Sequence, residues 1–366
     1  MHILFCISSL GSGGAERALS DLANYYVNQG HQVSLLTLVS SNTAPFYSVD
    51  SRINLVQTNK ASKGKSSIFK RLYNISTSLL GIRKTVTNLK IDKIVTFIDL
   101  MNVRVLLACL GLNIPIIVSE RTDPAYHQVP LKRVSNWLRL RLYPKAFRVI
   151  VQTQAAANYF PKDWGNHVTI IPNVVKKPKN NKLDFLRKDK IQHIISVGRL
   201  SQEKNHESLI KVFSDWIKKY PQLRLTIYGE GPERKSLEQL ISSLSLSEKV
   251  SLPGTVKNIQ ESLLEGDLFV FPSQYEGFPN ALCEAMAVGL PVVASDCSGN
   301  AEVVRNGLDG ILFPVGDMEA LTKAVFDCLD NAEKCDYLSK NAVNIVSRYG
   351  SEQVYKKWDN VILGNM

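Results

Sequence analysis

The 366-residue sequence has no apolar run of about 18 residues, the length a helix needs to cross a membrane. Its longest candidate, 105–118, is broken by Asn113 and Pro115. It also lacks a basic segment ahead of its apolar start, MHILFCISSLGSGG, so that start reads as a short strand entering a Gly-rich turn and not as a signal peptide. Cysteine is scarce and unpaired. Cys6, Cys109, Cys283, Cys297, Cys328 and Cys335 form no C-x-x-C, which argues against a disulfide framework and for buried, reduced thiols in a cytoplasmic protein. The six histidines are as dispersed as the cysteines, so no Cys/His zinc cluster is expected. With 45% hydrophobic and 21% charged residues, disorder and low complexity are excluded as well.

Acidic charge is what the first half has little of. Residues 1–175 hold 20 Lys+Arg against 8 Asp+Glu, net +12, while 176–366 hold 24 against 25, net −1. A one-sided basic surface fits an anionic partner: nucleic acid, an anionic membrane or a phosphate-bearing substrate. An idle basic surface is the plain alternative.

Short β-rich runs alternate with helical patterns. Strands are expected at 2–7, 33–39, 94–98, 114–118, 147–152 and 168–172, with a helix after the first whose apolar residues Leu19, Leu22, Ala23, Tyr26 and Val27 recur at three/four spacing. After a Lys- and Asn-rich stretch the series restarts at 193–197, 223–228, 250–252, 268–271, 291–294 and 311–313, with helices at 205–219 and 232–244. The segments 331–347 and 351–363 also read as helical. This is βαβ grammar. It predicts an α/β chain of two tandem Rossmann-like, doubly wound parallel-sheet domains facing a cleft: 1–175, a linker 176–190, 191–348, and a C-terminal helix over 349–366 that returns to the first domain. In such sheets ligands bind at the carboxyl ends of strands.

Three turns at such ends could carry chemistry. The first holds Gly11, Gly13, Gly14, Glu16 and Arg17. A dinucleotide fingerprint would need Gly where Glu16 stands, so what remains is a helix N-terminus suited to an anion. The second runs Gly198-Arg199 to Lys204-Asn205, with Asn205 a candidate N-cap. Lys204 before a helix start has the wrong sign for the helix dipole, which makes sense if a diphosphate lies beside it and Arg199. In the third, Glu276-Gly277-Phe278-Pro279-Asn280-Ala281-Leu282-Cys283-Glu284, Pro279 fits the first helical position. The N–H groups of Asn280, Ala281 and Leu282 then lie between the two carboxylates. Carboxylates bind hydroxyls and helix N-termini bind phosphate, so a ligand built as hydroxyls, diphosphate, hydroxyls fits: a nucleotide sugar. A solvated loop or a tight packing turn is the alternative at the first two turns.

These turns, with Tyr228-Gly229-Glu230-Gly231-Pro232 and Ala285 after Glu284, resemble glycosyltransferase family 4 over nearly the whole chain. Val118-Ser119-Glu120-Arg121-Thr122-Asp123-Pro124 is similar to the bacterial branch that builds O-antigen, capsule and lipid-linked oligosaccharides, polymerising N-acetylgalactosamine transferases included. The resemblance implies the GT-B fold and retention of anomeric configuration. It implies that Arg199 and Lys204 grip the diphosphate beside Gly198, that Glu284 holds the ribose, and that Glu276 faces the hexose within the stretch Gly277 to Leu282. Gly13 and Gly14 would approach diphosphate or acceptor near Arg17, and the nucleobase would lie near Gly254-Thr255-Val256. Many members have His where Arg121 stands. Arg remains charged and cannot act as a base, so Glu120 or His127 could stand in.

No D-x-D occurs to hold Mg²⁺ beneath the diphosphate, so a metal-independent enzyme with no cofactor is expected. Basic residues among apolar ones, Lys63, Lys65, Lys70, Arg71, Arg83 and Lys84, then Lys132, Arg133, Arg139 and Arg141 around Trp137, suit an anionic membrane surface, unless the apolar residues face the core. The expectation is a retaining transferase on the inner face of the cell membrane, using a UDP-sugar and an undecaprenyl-diphosphate-linked saccharide acceptor, with no nucleic acid partner. A UDP-sugar epimerase of the same architecture is the first rival and a nucleic-acid-binding protein the second.

Overall fold

The computed structural model describes residues 1–38, 44–58, 68–122, 130–181 and 191–364, and for 68–72 and 130–135 the backbone alone. The chain divides into two compact units, Met1–Asn173 with Tyr355–Met366, and Val174–Val354. The divisions thus fall at 173 and 354, where the sequence placed them at 175 and 348, and residues 182–190 of the expected linker lie outside the described residues.

Unit 1 holds β1 (His2–Ile7), α1 (Gly14–Asn28), β2 (Gln32–Thr37), β3 (Asn54–Gln57), α2 (Ile68–Asn88), β4 (Lys93–Phe97), α3 (Asp99–Ala108), β5 (Ile116–Ser119), α4 (Pro130–Leu142), β6 (Arg148–Val151), α5 (Gln154–Asn158) and β7 (Val168–Ile170). Its seven strands are all parallel, in the order β3-β2-β1-β4-β5-β6-β7. Every residue of β1 and β4 is buried, which is why these runs are largely apolar and do not alternate, His2, Lys93 and Thr96 being the polar exceptions. The edge strand β3 escapes a hydrophobic-pattern reading because three of its four residues are exposed.

Unit 2 repeats the plan with β8 (His193–Val197), α6 (His206–Lys219), β9 (Arg224–Tyr228), α7 (Arg234–Ser243), β10 (Val250–Gly254), α8 (Ile259–Leu264), β11 (Leu268–Phe271), α9 (Asn280–Ala287), β12 (Val292–Ser295), α10 (Ser298–Val303), β13 (Ile311–Phe313), α11 (Met318–Asp330), α12 (Ala332–Ala342) and α13 (Ile345–Tyr349). The parallel order is β10-β9-β8-β11-β12-β13. Winding reverses between β8 and β11, which pair directly through Ile194 and Ile195. The loops leaving those two strands therefore diverge at a switch point, the usual ligand position in an open α/β sheet. The helix expected over 331–347 is two helices, divided between Ala342 and Ile345.

The last helix, α14 (Ser351–Ile362), begins in unit 2 and ends in unit 1. Tyr355 stacks on Tyr25 with ring centroids 4.1 Å apart. Asp359 accepts from the hydroxyls of Tyr25 at 2.8 Å and Tyr26 at 3.0 Å. Lys93 Nζ donates to the carbonyl of Ile362 at 2.6 Å, satisfying an end the helix cannot satisfy itself. All six cysteines are buried, and none is in a disulfide.

Candidate functional site

The turn after β8 is stitched to its neighbours by backbone bonds. Gly198 N–H donates to Tyr228 O and Leu200 N–H to Glu230 O, each at 3.0 Å, and Gln274 N–H to Glu203 O at 2.8 Å. The glycines of the Tyr228–Pro232 motif make the first contacts possible. A Cβ on Gly229, at φ +146°, would fall on the Gly198 carbonyl oxygen, and one on Gly231 on the Leu200 carbonyl oxygen.

On this frame a 3₁₀ turn, Gln202–Lys204, aims Lys204 across the sheet ends. Lys204 Nζ forms an ion pair with Glu276 Oε1, from the loop after β11, at side-chain exposures of 18% and 9%. Arg199, in the same turn, is exposed. Asn205 stands at the N-cap of α6 but in the left-handed conformation, φ 57°, and its side chain makes no cap bond there, so it bends the chain and does not cap. The first residue of the helix, His206, is fully buried with its ring against Gly198. Burial, and secondarily the charge of Lys204, push its imidazole down to about 3, so it is neutral. Sequence reasoning set His206 aside as one of the dispersed histidines; its contact with Gly198 is visible only in three dimensions.

In the third turn Pro279 is the N-cap of α9 and not its first residue, and the N–H of Asn280 is engaged by the Phe278 carbonyl at 3.0 Å. Glu284 lies on the buried side of this helix. Four expected donor contacts turn their side chains inward. Phe278 packs edge-on against Tyr349 at 5.6 Å, Leu282 is fully buried, and Ala281 and Val256 pack on the same core. Phe278 and Leu282 can offer a ligand only their backbone, while Ala281 and Val256 are partly exposed. Gly277 is partly buried between them. Unforeseen in the sequence is a knot behind this loop. The fully buried Asp309 accepts from Arg305 Nε at 2.6 Å and Arg348 Nη1 at 3.4 Å, and Arg348 also donates to the Val303 carbonyl at 2.8 Å.

In unit 1, Gly13 is the extended N-cap of α1, Gly14 its first residue, and Arg17 N–H donates to Gly13 O at 3.1 Å. Tyr47 hydroxyl holds this turn by donating to Ser12 O at 2.8 Å. Glu120, at the carboxyl end of β5, does not open onto solvent. Its carboxylate accepts a hydrogen bond from the Tyr143 hydroxyl and faces Arg139 Nη1 at 3.4 Å, both side chains of the ion pair 1% exposed. Burial raises its pKa above the ordinary carboxylate range, against the pull of Arg139 and Tyr143. Burial, Tyr143 and Arg139 tie Glu120 to the support of the sheet end.

Arg121 lies with its guanidinium carbon 3.8 Å from the Phe97 ring centroid and 5.7 Å from that of Trp358, and donates to Asn173 Oδ1 at 2.6 Å. Burial pulls it down to about 9, still a cation at neutral pH. It ties β5 to the C-terminal helix. His127 lies outside the described residues, as do Lys63, Lys65, Asp123, Pro124 and the side chains of Lys70, Arg71, Lys132 and Arg133. Arg83 is exposed on α2. Its guanidinium donates to the carbonyls of Ala108 and Leu110, each at 2.9 Å, closing the C-terminal end of α3, where a cation belongs. Lys84 is exposed. Among the described residues no group of His, Cys, Asp and Glu is arranged to hold a metal ion, and no helix is long and apolar enough to cross a membrane.

Comparison with known proteins gives this arrangement a family. The model described as Glycosyltransferase Family 4 matches residues 12–177, and that described as Glycosyl transferases group 1 matches 178–344. An uncharacterized glycosyltransferase of Methanocaldococcus jannaschii is 30% identical over 282 residues, 70% of this chain and 68% of that one. A Campylobacter jejuni protein, GalNAc-alpha-(1->4)-GalNAc-alpha-(1->3)-diNAcBac-PP-undecaprenol alpha-1,4-N-acetyl-D-galactosaminyltransferase, is 25% identical over 364 residues, 99% of this chain and 98% of that one. Among solved structures, the sucrose-phosphate synthase of Thermosynechococcus elongatus superposes with a TM-score of 0.84 at 19% identity over 98% of each chain, which establishes a shared GT-B fold. With both halves matched by glycosyltransferase models and the identity to the M. jannaschii protein spread over two thirds of its length, the chain belongs to the family 4 glycosyltransferases.

Proposed function

We propose that the chain moves a hexose or N-acetylhexosamine, with retention of configuration, from a UDP-sugar to an undecaprenyl-diphosphate-linked glycan in the assembly of bacterial surface polysaccharide. The observation that carries the donor half is the Lys204–Glu276 pair beside exposed Arg199 at the switch point of unit 2. A cation pair and a carboxylate at one sheet end match the chemistry of a diphosphate next to a hydroxyl-bearing ring. The acceptor half is supported by the C. jejuni relative, whose name specifies a diphospho-undecaprenol-linked glycan.

In this reading Arg199 and Lys204 neutralise the charge that develops on the departing diphosphate, and Glu276 orients the ring through its hydroxyls. The departing phosphate oxygen takes the proton of the acceptor hydroxyl as it attacks the same face. The two cations do what a divalent ion does elsewhere, so turnover that survives EDTA is expected.

A peripheral position on an anionic membrane is supported by unit 1. Tyr73, Leu80 and Trp137 are 67%, 69% and 57% exposed, with Lys84 exposed on α2 and Arg141 5.6 Å over the Trp137 ring. The deciding experiment offers a panel of UDP-sugars with an undecaprenyl-diphosphate-linked acceptor and reads the products by mass spectrometry. An extended acceptor supports the proposal. Isomerised UDP-sugar formed without acceptor would replace it with the epimerase reading.

A further inference from the structure

The two side chains that the proposed reaction sends to different parts of the donor are bonded to each other. Lys204 goes to the diphosphate and Glu276 to the hexose, yet their side chains form one ion pair at 18% and 9% exposure. Their stems are closely packed on both sides. The Lys204 stem lies along Gly198, with its Cγ and Cδ 3.3 and 3.4 Å from where a Cβ on that glycine would stand. Its ammonium sits 5.4 Å over the Phe271 ring centroid. Glu276 is backed by Gly299, on which a Cβ would stand 2.6 Å from the Glu276 carbonyl oxygen and 2.7 Å from its Cβ. The neighbouring imidazole of His206 is neutral and fully buried, so it supplies no second cation to Glu276.

We infer that this pair is a specificity device: it makes the donor site favour the intact sugar nucleotide over the nucleoside diphosphate that remains after transfer. The inference rests on the donor-site reading proposed above. An intact donor compensates both halves of the opened pair, the diphosphate oxygens accepting from Lys204 and the sugar hydroxyls donating to Glu276. The nucleoside diphosphate compensates one half. It draws Lys204 to phosphate and leaves a nine-tenths buried carboxylate without its lysine, and removing one partner of a buried pair costs more than the pair itself contributes. Loss of the sugar in the reaction therefore creates the cost that expels the product.

Calorimetric titration of the full chain with UDP, and with the UDP-sugar of the panel that it turns over, tests this. The wild type should bind the sugar nucleotide about tenfold more tightly than UDP. Glu276→Gln has no carboxylate to strand and should bind UDP about tenfold more tightly than the wild type, while losing its preference for the sugar nucleotide. In a Lys204→Met background the same change should alter UDP affinity less than about twofold, since the coupled partner is gone. A wild type that binds UDP as tightly as the donor overturns the inference without recourse to any variant. So does a folded Glu276→Gln protein that binds UDP no more tightly than the wild type. A wild type that binds neither UDP nor any UDP-sugar instead removes the donor-site reading, and the inference with it.

Discussion

Glu120→Ala should unfold unit 1 well before it tells anything about catalysis. The carboxylate and Arg139 are each 1% exposed, and the guanidinium also reaches Asn136 Oδ1 at 2.7 Å and the Tyr159 hydroxyl. Removing Glu120 takes the carboxylate from a buried cation and, among the described residues, leaves the Tyr143 hydroxyl with the Asn102 amide, which donates to it at 2.9 Å. Breaking such a pair from one side costs about 3–5 kcal/mol. For a unit of this size, that corresponds to roughly 10 °C in Tm. Glu120→Gln keeps an acceptor for Tyr143 and should lose about 1–3 kcal/mol.

The pH dependence separates the two variants further. A carboxyl whose folded pKa is raised by burial contributes most below the ordinary carboxylate range, and that contribution is lost as pH rises through the folded value. Glu120→Gln should therefore flatten the fall in unit 1 stability on the alkaline side of that range. Urea denaturation followed by tryptophan fluorescence at several pH values measures both effects. A Glu120→Ala protein within about 1 kcal/mol of wild type would refute the buried-pair argument. Turnover collapsing in a well-folded Glu120→Gln protein would return the residue to the sugar.

Gly229→Ala, which would drive a methyl into the Gly198 carbonyl from a backbone region Gly alone favours, should cost about 3 kcal/mol or more and weaken nucleotide binding, checked by melting and titration together. Arg83→Ala should lower Tm because the end of α3 loses its cation, whereas Lys84→Glu should leave Tm unchanged and weaken binding to anionic liposomes at low salt; equal effects in both assays would contradict the distinction. His206, neutral in the fold down to about pH 3, binds its proton more readily when unfolded, so between about pH 6.5 and 3 unit 2 should lose stability at roughly 1.4 kcal/mol per pH unit as pH falls. His206→Gln should remove that slope, and an unchanged slope would show another group responsible.

How far the sequence was legible depended on which signal each feature leaves. The strands 2–7, 193–197, 268–271 and 311–313 were readable to the residue because each is a short, mainly apolar run between turn signals, the first and third buried throughout. β3 left no such signal, being an exposed edge. The Gly198–Asn205 and Glu276–Glu284 turns could be found from charge in the wrong place for a helix dipole and from a Pro-started helix. Their side-chain directions could not: nothing in the order Phe278, Ala281, Leu282 distinguishes a residue facing ligand from one covering β11. Arg83 and Glu120 show the same gap. A cation or an acid in sequence gives no hint that its partner is a helix end 25 residues on, or an arginine 19 residues on.

The most direct test of the account is multiple-turnover transfer by Arg199→Ala and Lys204→Ala, with melting curves to verify folding. If these cations neutralise the departing diphosphate, each variant should lose about 10²-fold or more in kcat, roughly 2.7 kcal/mol of transition-state stabilisation. Near-wild-type kcat in both folded variants would contradict the assignment of the donor site to the turn after β8.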